Sequence, residues 1–252
     1  DGTVADMGAF YFHQYLPGDV NLDVIVDVLD VTMMVAFILG QGTLTDYQFQ
    51  NADLNQSGTI NILDIIMLID IILNTTMSNE QQEGTTYVTK IIKQKGTPPY
   101  VMDVLMLTDV EVAGMQMQID ISQGYKAVSA TLGDYTTSAG MTLPYSISAD
   151  STVVKFLSYG MIGESYPIGN GKILEIGLIY EGLSRNNFDP AAGSISELLV
   201  TANGSTFLES QSVEMAEFVR LIEDGTNPLL GIPENYALHQ AFSNPFNPVT
   251  TI

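Results

Sequence analysis

The sequence predicts an α+β chain of two unlike domains, a small helical one followed by an antiparallel β-sandwich. Three observations carry this. An acidic stretch, GDVNLDVIVDVLDVTMMVAFIL, returns 34 residues later as ADLNQSGTINILDIIMLIDIIL, and each copy runs into an apolar segment of helical length. After a polar stretch, NTTMSNEQQEGTT, the pattern changes to strict alternation, as in VEVAGMQMQIDI. Turn-rich runs such as GDYTTSAG, YPIGNGK and NGS then separate further short apolar runs, as the strands of a sandwich require.

Composition agrees with two packed cores. The chain has 252 residues, 46% of them hydrophobic, with a mean hydropathy of +0.19, enough for two domains. The 29 acidic residues against 8 basic ones leave a formal charge of −21, which excludes nucleic acid as a partner because phosphates need a basic footprint. An anionic membrane surface is disfavoured for the same reason. No Lys or Arg precedes Lys90, so the first third holds its aspartates without internal cations. A bulk polyanionic surface or halophilic adaptation would explain the net charge but not aspartates at fixed offsets. Cysteine is absent, which removes disulfides, thiolate metal sites and a cysteine nucleophile. The sequence opens at Asp1 without a Met or signal peptide and has no apolar run of membrane-spanning length. The expectation is a processed or excised portion of a larger product with no transmembrane segment.

The acidic repeat has the spacing of a twelve-residue calcium loop, which supplies oxygens at positions 1, 3, 5, 7, 9 and 12. In the first copy these are Asp19, Asn21, Asp23, Ile25, Asp27 and Asp30; in the second, Asp53, Asn55, Ser57, Thr59, Asn61 and Asp64. Position 7 offers its backbone carbonyl, so Ile25 is as suitable as Thr59. Two Ca2+ sites are expected. The alternative is an Asx-rich turn and cap pattern that binds no metal. Position 8 is apolar in both copies, Val26 and Ile60, and should turn inward to tie the loops together. The closing aspartate opens a helix, where unpaired N–H groups await an acceptor. Position 6 distinguishes the copies: Gly58 suits a left-handed turn, whereas Val24 there would cost about 1–3 kcal/mol.

The helices VTMMVAFIL and IIMLIDIIL have few polar interruptions and lack the single stripe of an ordinary surface helix. A module this small leaves apolar surface over. One reading packs Met33, Met34, Phe37, Met67 and Leu68 between the two helices; the other covers a face with a further domain or molecule.

From Pro17 to Asn74 the pattern resembles the type I dockerin family, with two loop-helix repeats, Asp at position 12 and a short linker. The resemblance implies a small helical module that folds with calcium and docks onto a cohesin through positions 10 and 11 and the following helix face. Those positions here are Val28 and Leu29, then Ile62 and Leu63, and the docking surface is completed by Met33, Phe37 and Met67. All are aliphatic, aromatic or thioether side chains, where many cellulosomal members carry polar ones.

The expected strands after the linker are TYVTKIIK, YVMDVLMLT, VEVAGMQMQIDI, KAVSATL, LPYSISA, TVVKFLSY, KILEIGLIY, SISELLVTA and VEMAEFVRLI. In the third, Met115, Met117, Ile119 and Ile121 should face a core and Gln116, Gln118 and Asp120 solvent. The stretch VLMLTDVEVAGMQMQIDI resembles the opening of a cohesin-like or carbohydrate-binding-like sandwich, covering about 98–222. The resemblance implies that the chain carries, or sits beside, a partner for its own greasy helices.

No catalytic signature stands out. The only histidines, His13 and His239, lie outside the sandwich, and no triad order, phosphate loop or zinc-spaced pair occurs. Glu209 with Glu214, or Asp103 with Asp109, would be the carboxylate pairs of a glycosidase; solvated strand ends are the alternative. Tyr135, Tyr145, Tyr159, Tyr166 and Tyr180 are candidates for a sugar platform or for ordinary packing.

Both ends carry short resemblances. DGTVADMGAFYF is similar to a segment that closes right-handed β-helix regions of large secreted bacterial proteins; alternatively it is a leader whose Phe10, Tyr11 and Phe12, with Tyr15, pack on the helical module. PENYALHQAFSNPFNPVTTI resembles the start of a type IX secretion C-terminal sorting domain, through Asn244, Pro245, Phe246, Asn247 and Pro248. That resemblance implies secretion to, or attachment at, the outer surface of a Gram-negative bacterium.

The organisation expected is a leader over 1–16, a dockerin-like calcium domain over 17–76, a linker or first strand over 77–97, a cohesin-like sandwich over 98–222 and a linker with a truncated sorting-like tail over 223–252. The expected function is a noncatalytic, calcium-stabilised extracellular structural module that docks within its own chain or onto a cohesin-like partner. Fibre assembly through an added edge strand is a further expectation. The alternatives are a glycan-binding accessory module of a secreted polysaccharide-degrading protein, and the C-terminal part of an enzyme whose catalytic domain lies elsewhere.

Overall fold

The structure, a computed structural model, describes residues 15–74, 83–95, 98–121, 124–182, 189–202, 204 and 206–223. Asp1 to Gln14, both histidines and the sorting-like motif lie outside the described residues.

The first part consists of α1 (Val28–Ile38), α2 (Asp46–Ala52) and α3 (Ile62–Leu73). The N-cap of α1 is Asp27, which accepts from the Leu29 N–H at 2.8 Å, while Asp30 reaches back to the Asp27 N–H at 2.9 Å. The same reciprocal box opens α3 with Asn61 and Asp64. Position 9 is therefore the cap and position 12 its partner one turn in. The helix α3 stops at Asn74, which takes a left-handed conformation that few residues other than Gly and Asn hold cheaply. The reading of the two repeats contains no helix between them; Thr45 and Gln48, a capping box of their own, start α2.

The sandwich contains β1 (Thr85–Gln94), β2 (Tyr100–Thr108), β3 (Gly114–Asp120), β4 (Tyr125–Leu132), α4 (Asp134–Ser138), β5 (Tyr145–Ile147), β6 (Val153–Tyr159), β7 (Gly169–Tyr180), β8 (Ser194–Thr201), β9 (Glu209–Ser212) and α5 (Met215–Glu223). One sheet has the order β4-β7-β2-β1-β9, the other β5-β6-β3-β8. Pairing is antiparallel throughout except between β1 and β9, which run parallel. The core between the sheets is built from Met102, Val104 and Met106 of β2, Met115, Met117 and Ile119 of β3, and Phe156 of β6. The alternation of β3 thus points its methionines inward, as expected.

Two segments depart from the expected pattern. VEMAEFVRLI forms the helix α5 rather than a strand: Met215, Phe218, Leu221 and Ile222 recur at helical spacing and cover Leu105 and Leu107 on the outer face of β2. GDYTTSAG contains the short helix α4, held by Thr136, whose hydroxyl donates to the Ile173 carbonyl at 2.7 Å.

The outer face of the second sheet positions the functional surface. In register across it lie Tyr159, Gly114 and Thr201, then Leu157, Gln116 and Leu199. The expectation that Gln116 faces solvent fails for a tertiary reason. The helix α3 crosses β3, β6 and β8, and Leu157 and Tyr159 belong to one apolar cluster with Val31, Met34, Ile62, Ile65, Ile66 and Leu68. At the far end the Ser146 hydroxyl donates to the Leu39 carbonyl at 2.9 Å.

Candidate metal loops and docking face

Both acidic loops fold by the same hydrogen-bond scheme. Asp19 accepts from the N–H groups of Asp23 (3.1 Å) and Val24 (3.0 Å), as Asp53 does from Ser57 (2.9 Å) and Gly58 (2.8 Å). Asn21 accepts from the Asp23 N–H and Asn55 from the Ser57 N–H, both at 2.9 Å. Asp30 accepts from Val20 and Asn21, and Asp64 from Leu54 and Asn55. The two closing aspartates are buried, and burial pushes the Asp64 carboxyl above its ordinary range, with the nearby Asp53 adding to the effect. Asp23 accepts from the Ile25 N–H at 2.8 Å, and the Thr59 carbonyl accepts from the Ser57 hydroxyl at 3.0 Å.

The loops are joined at their bases. Gly18 donates its N–H to the Asn51 carbonyl at 2.8 Å, and the Asn51 amide donates to the Asp19 carbonyl at 2.6 Å. Val26 and Ile60, the apolar position 8 pair, both pack in the module cluster.

The donor chemistry suits a hard cation: loop one has four carboxylates and an amide oxygen, loop two has two carboxylates, two amides and a hydroxyl. Among the described residues no three Asp, Glu, His or Cys side chains converge as a metal cluster.

The docking residues named from the sequence divide into two groups. Ile62 and Leu63 are buried, while Val28 and Leu29, their mates one repeat earlier, are exposed. Met33 and Phe37 are half-buried inside the module, with Phe37 edge-on to Phe49 at a centroid distance of 6.2 Å, and Met67 is half-buried. Nothing in the local spacing marks Ile66, Gly204, Leu157 or Leu199. The Ala-Gly-Met step before β3 was the one local signal, since a glycine inside a strand start marks a close approach.

The other candidates have structural partners. Asp103 pairs with Lys93 at 2.8 Å, Asp109 accepts from the Thr85 N–H at 2.7 Å, and Glu209 accepts from the Gln211 amide at 2.9 Å. The five tyrosines do not form one platform. Tyr135 lies against buried Tyr166, Tyr159 lies under the helical module, Tyr180 packs on Tyr125, and Tyr145 is exposed. No helix among the described residues is long and apolar enough to cross a membrane.

Comparison with curated proteins finds no match. Among solved structures, a non-cellulosomal cohesin from the archaeon Archaeoglobus fulgidus is 9% identical with a TM-score of 0.35, covering 56% of this chain and 98% of that one. A type I cohesin-dockerin complex of Clostridium thermocellum, Coh-OlpC-Doc435, is 9% identical with a TM-score of 0.38, covering 55% and 94%. The seventh ScaB type I cohesin of Pseudobacteroides cellulosolvens is 8% identical with a TM-score of 0.37, covering 52% and 88%. The sandwich assignment rests on the strand pairing above and not on likenesses of this size. Residues 17–73 match the model of the dockerin type I domain, and this segment is accordingly similar to that family.

Proposed function

We propose that the chain is a noncatalytic docking unit of an extracellular or cell-surface protein, in which a calcium-stabilised helical module is seated on its own sandwich. The observation that carries this reading is the single apolar cluster shared by Ile62, Ile66, Leu157 and Tyr159. Burying side chains of this size contributes about 1.5–3 kcal/mol each, so the module and the sandwich support one another.

The loop residues that would hold calcium are Asp19, Asn21, Asp23, Asp27 and Asp30 with the Ile25 carbonyl, and Asp53, Asn55, Ser57, Asn61 and Asp64 with the Thr59 carbonyl. The ion would supply the positive charge that the first 89 residues lack. Asp30 and Asp64 clasp the backbone of the loop start, and Asp27 and Asn61 cap the helices, each within its own repeat. The dockerin match over 17–73 supports both the ion and the docking role.

A protease site placed between 77 and 80 tests the reading. After cleavage in calcium the two fragments should travel as one species on size exclusion and separate in chelator. Separation in calcium would overturn docking within the chain, and concentration-dependent growth of the cleaved or intact species would assign the module to partners on other chains.

A further inference from the structure

The two repeats of the helical module are equivalent in sequence position but not in burial. At the offset of 34, Val31 and Ile65, Met34 and Leu68, and Val35 and Ile69 are all buried; these pairs make the interior of the module. Three other pairs diverge. Val28 is 46% and Leu29 55% exposed, while Ile62 is 0% and Leu63 6% exposed; Thr32 is exposed and Ile66 buried. The three pairs that pass from exposed to buried share one face, and between halves with the same loop scheme that change comes from what lies outside the module.

What lies there is a notch lined by two glycines. A Cβ at Gly114 would stand 2.8 Å from Ile62 Cγ1 and 2.9 Å from Ile66 Cγ1, and a Cβ at Gly204 would stand 2.8 Å from Ile66 Cγ2. Gly204 also has a φ of +74°, so a side chain there is disfavoured twice. Ile66 is thus held between the start of β3 and the turn after β8. Its repeat mate is Thr32, one methyl shorter and carrying a hydroxyl already donated to the Val28 carbonyl at 3.0 Å. Val28 is likewise one methyl smaller than Ile62. Turned to present α1, the module would leave the notch underfilled at both positions.

We infer that docking is directional, with Gly114 and Gly204 selecting α3 through Ile66, and Thr32 excluding α1. This rests on the proposed seating of the module on its own sandwich. It makes Ile66 a specificity-determining residue and leaves the Val28 and Leu29 face free in the docked state.

The absence of cysteine allows a direct readout by thiol labelling of single cysteines at the mates Leu29→Cys and Leu63→Cys. In the otherwise unmodified chain, Leu63→Cys should label at least about 100-fold more slowly than Leu29→Cys, as an equilibrium held mostly docked requires. Exchanging the key residues, Thr32→Ile with Ile66→Thr, should reverse the order. Equal fast labelling of both sites in the unmodified chain would overturn the seating itself. Protection that stays on Leu63→Cys after the exchange, or is lost at both sites, would overturn the selection while leaving the seating intact. Should the exchanged chain fail to fold, Gly204→Ala in the Leu63→Cys chain serves instead. Labelling there should accelerate at least about tenfold while the sandwich keeps its strand signal in circular dichroism, and unchanged protection would overturn the selection.

Discussion

Val24 and Gly58 occupy the same point of the repeated loop, and both hold a positive φ, 72° and 82°. For Gly58 this is an ordinary turn. For Val24 it is a β-branched residue in a region L side chains avoid. The side chain gains nothing in return, since Val24 is 79% exposed. Val24→Gly should therefore stabilise the module by about 1 kcal/mol, the relief of strain being partly offset by the greater freedom of glycine in the unfolded chain. Chemical denaturation of the two proteins checks this. Gly58→Val should shift the midpoint the other way.

The hydroxyl of Tyr166 sits in the sandwich core, 2.9 Å from the Thr136 hydroxyl and 2.8 Å from the Ser158 hydroxyl. Burial raises its pKa above the ordinary tyrosine range. Tyr166→Phe leaves the buried Ser158 hydroxyl without this acceptor, while Thr136 keeps its bond to the Ile173 carbonyl, and should cost about 1–3 kcal/mol. Adding Ser158→Ala should return part of this in a double-mutant cycle, because the donor left without a partner is then removed. Full additivity of the two changes would argue against a connected trio.

Glu175 lies between Lys95 at 2.6 Å and Lys172 at 3.0 Å. The Lys95 hydrogen bond, with Lys172 behind it, holds its carboxyl below the ordinary glutamate range. A carboxylate whose folded pKa is depressed adds stability above its unfolded pKa, and that stability is lost as pH falls through the folded value. Glu175→Gln should thus destabilise the sandwich by less than about 1 kcal/mol at neutral pH, since Lys95 is half-exposed. The difference between the two proteins should vanish in acid below the depressed pKa. Urea titrations across that window measure it; a constant gap at every pH would remove the charge from the explanation.

Much of this was legible locally. The loops, their caps and the inward methionines of β3 follow from spacing within a dozen residues, which is where hydrogen-bond geometry acts. The docked face was legible only as an excess of apolar surface. Val28 and Ile62 look alike in the repeat, and what Ile62 packs against, Gly114 among it, stands far along the chain. Long-range contacts of this kind leave no periodic signal in the helix itself. The same limit applies at the end of the sandwich. VEMAEFVRLI carries apolar residues at spacings of one, two and three, so a strand and a helix both suit it. Leu105 and Leu107 decide between them, because a strand with both faces apolar needs a cover.

That cover gives the last prediction. Phe218 is buried against Leu105 and Leu107, with Tyr87, Val213, Met215, Leu221 and Ile222 packed around the three. Phe218→Ala should cost about 3 kcal/mol and free α5 without opening the core between the sheets. Amide exchange should then rise across 215–223, while β2, paired with β1 on one side and β7 on the other, keeps its protection. If α5 were incidental to the fold, the alanine variant would unfold at the same denaturant concentration as the parent. Were α5 instead part of the central core, every strand would lose protection together. A local rise with a lowered midpoint is the outcome that a helix closing the outer face of β2 requires.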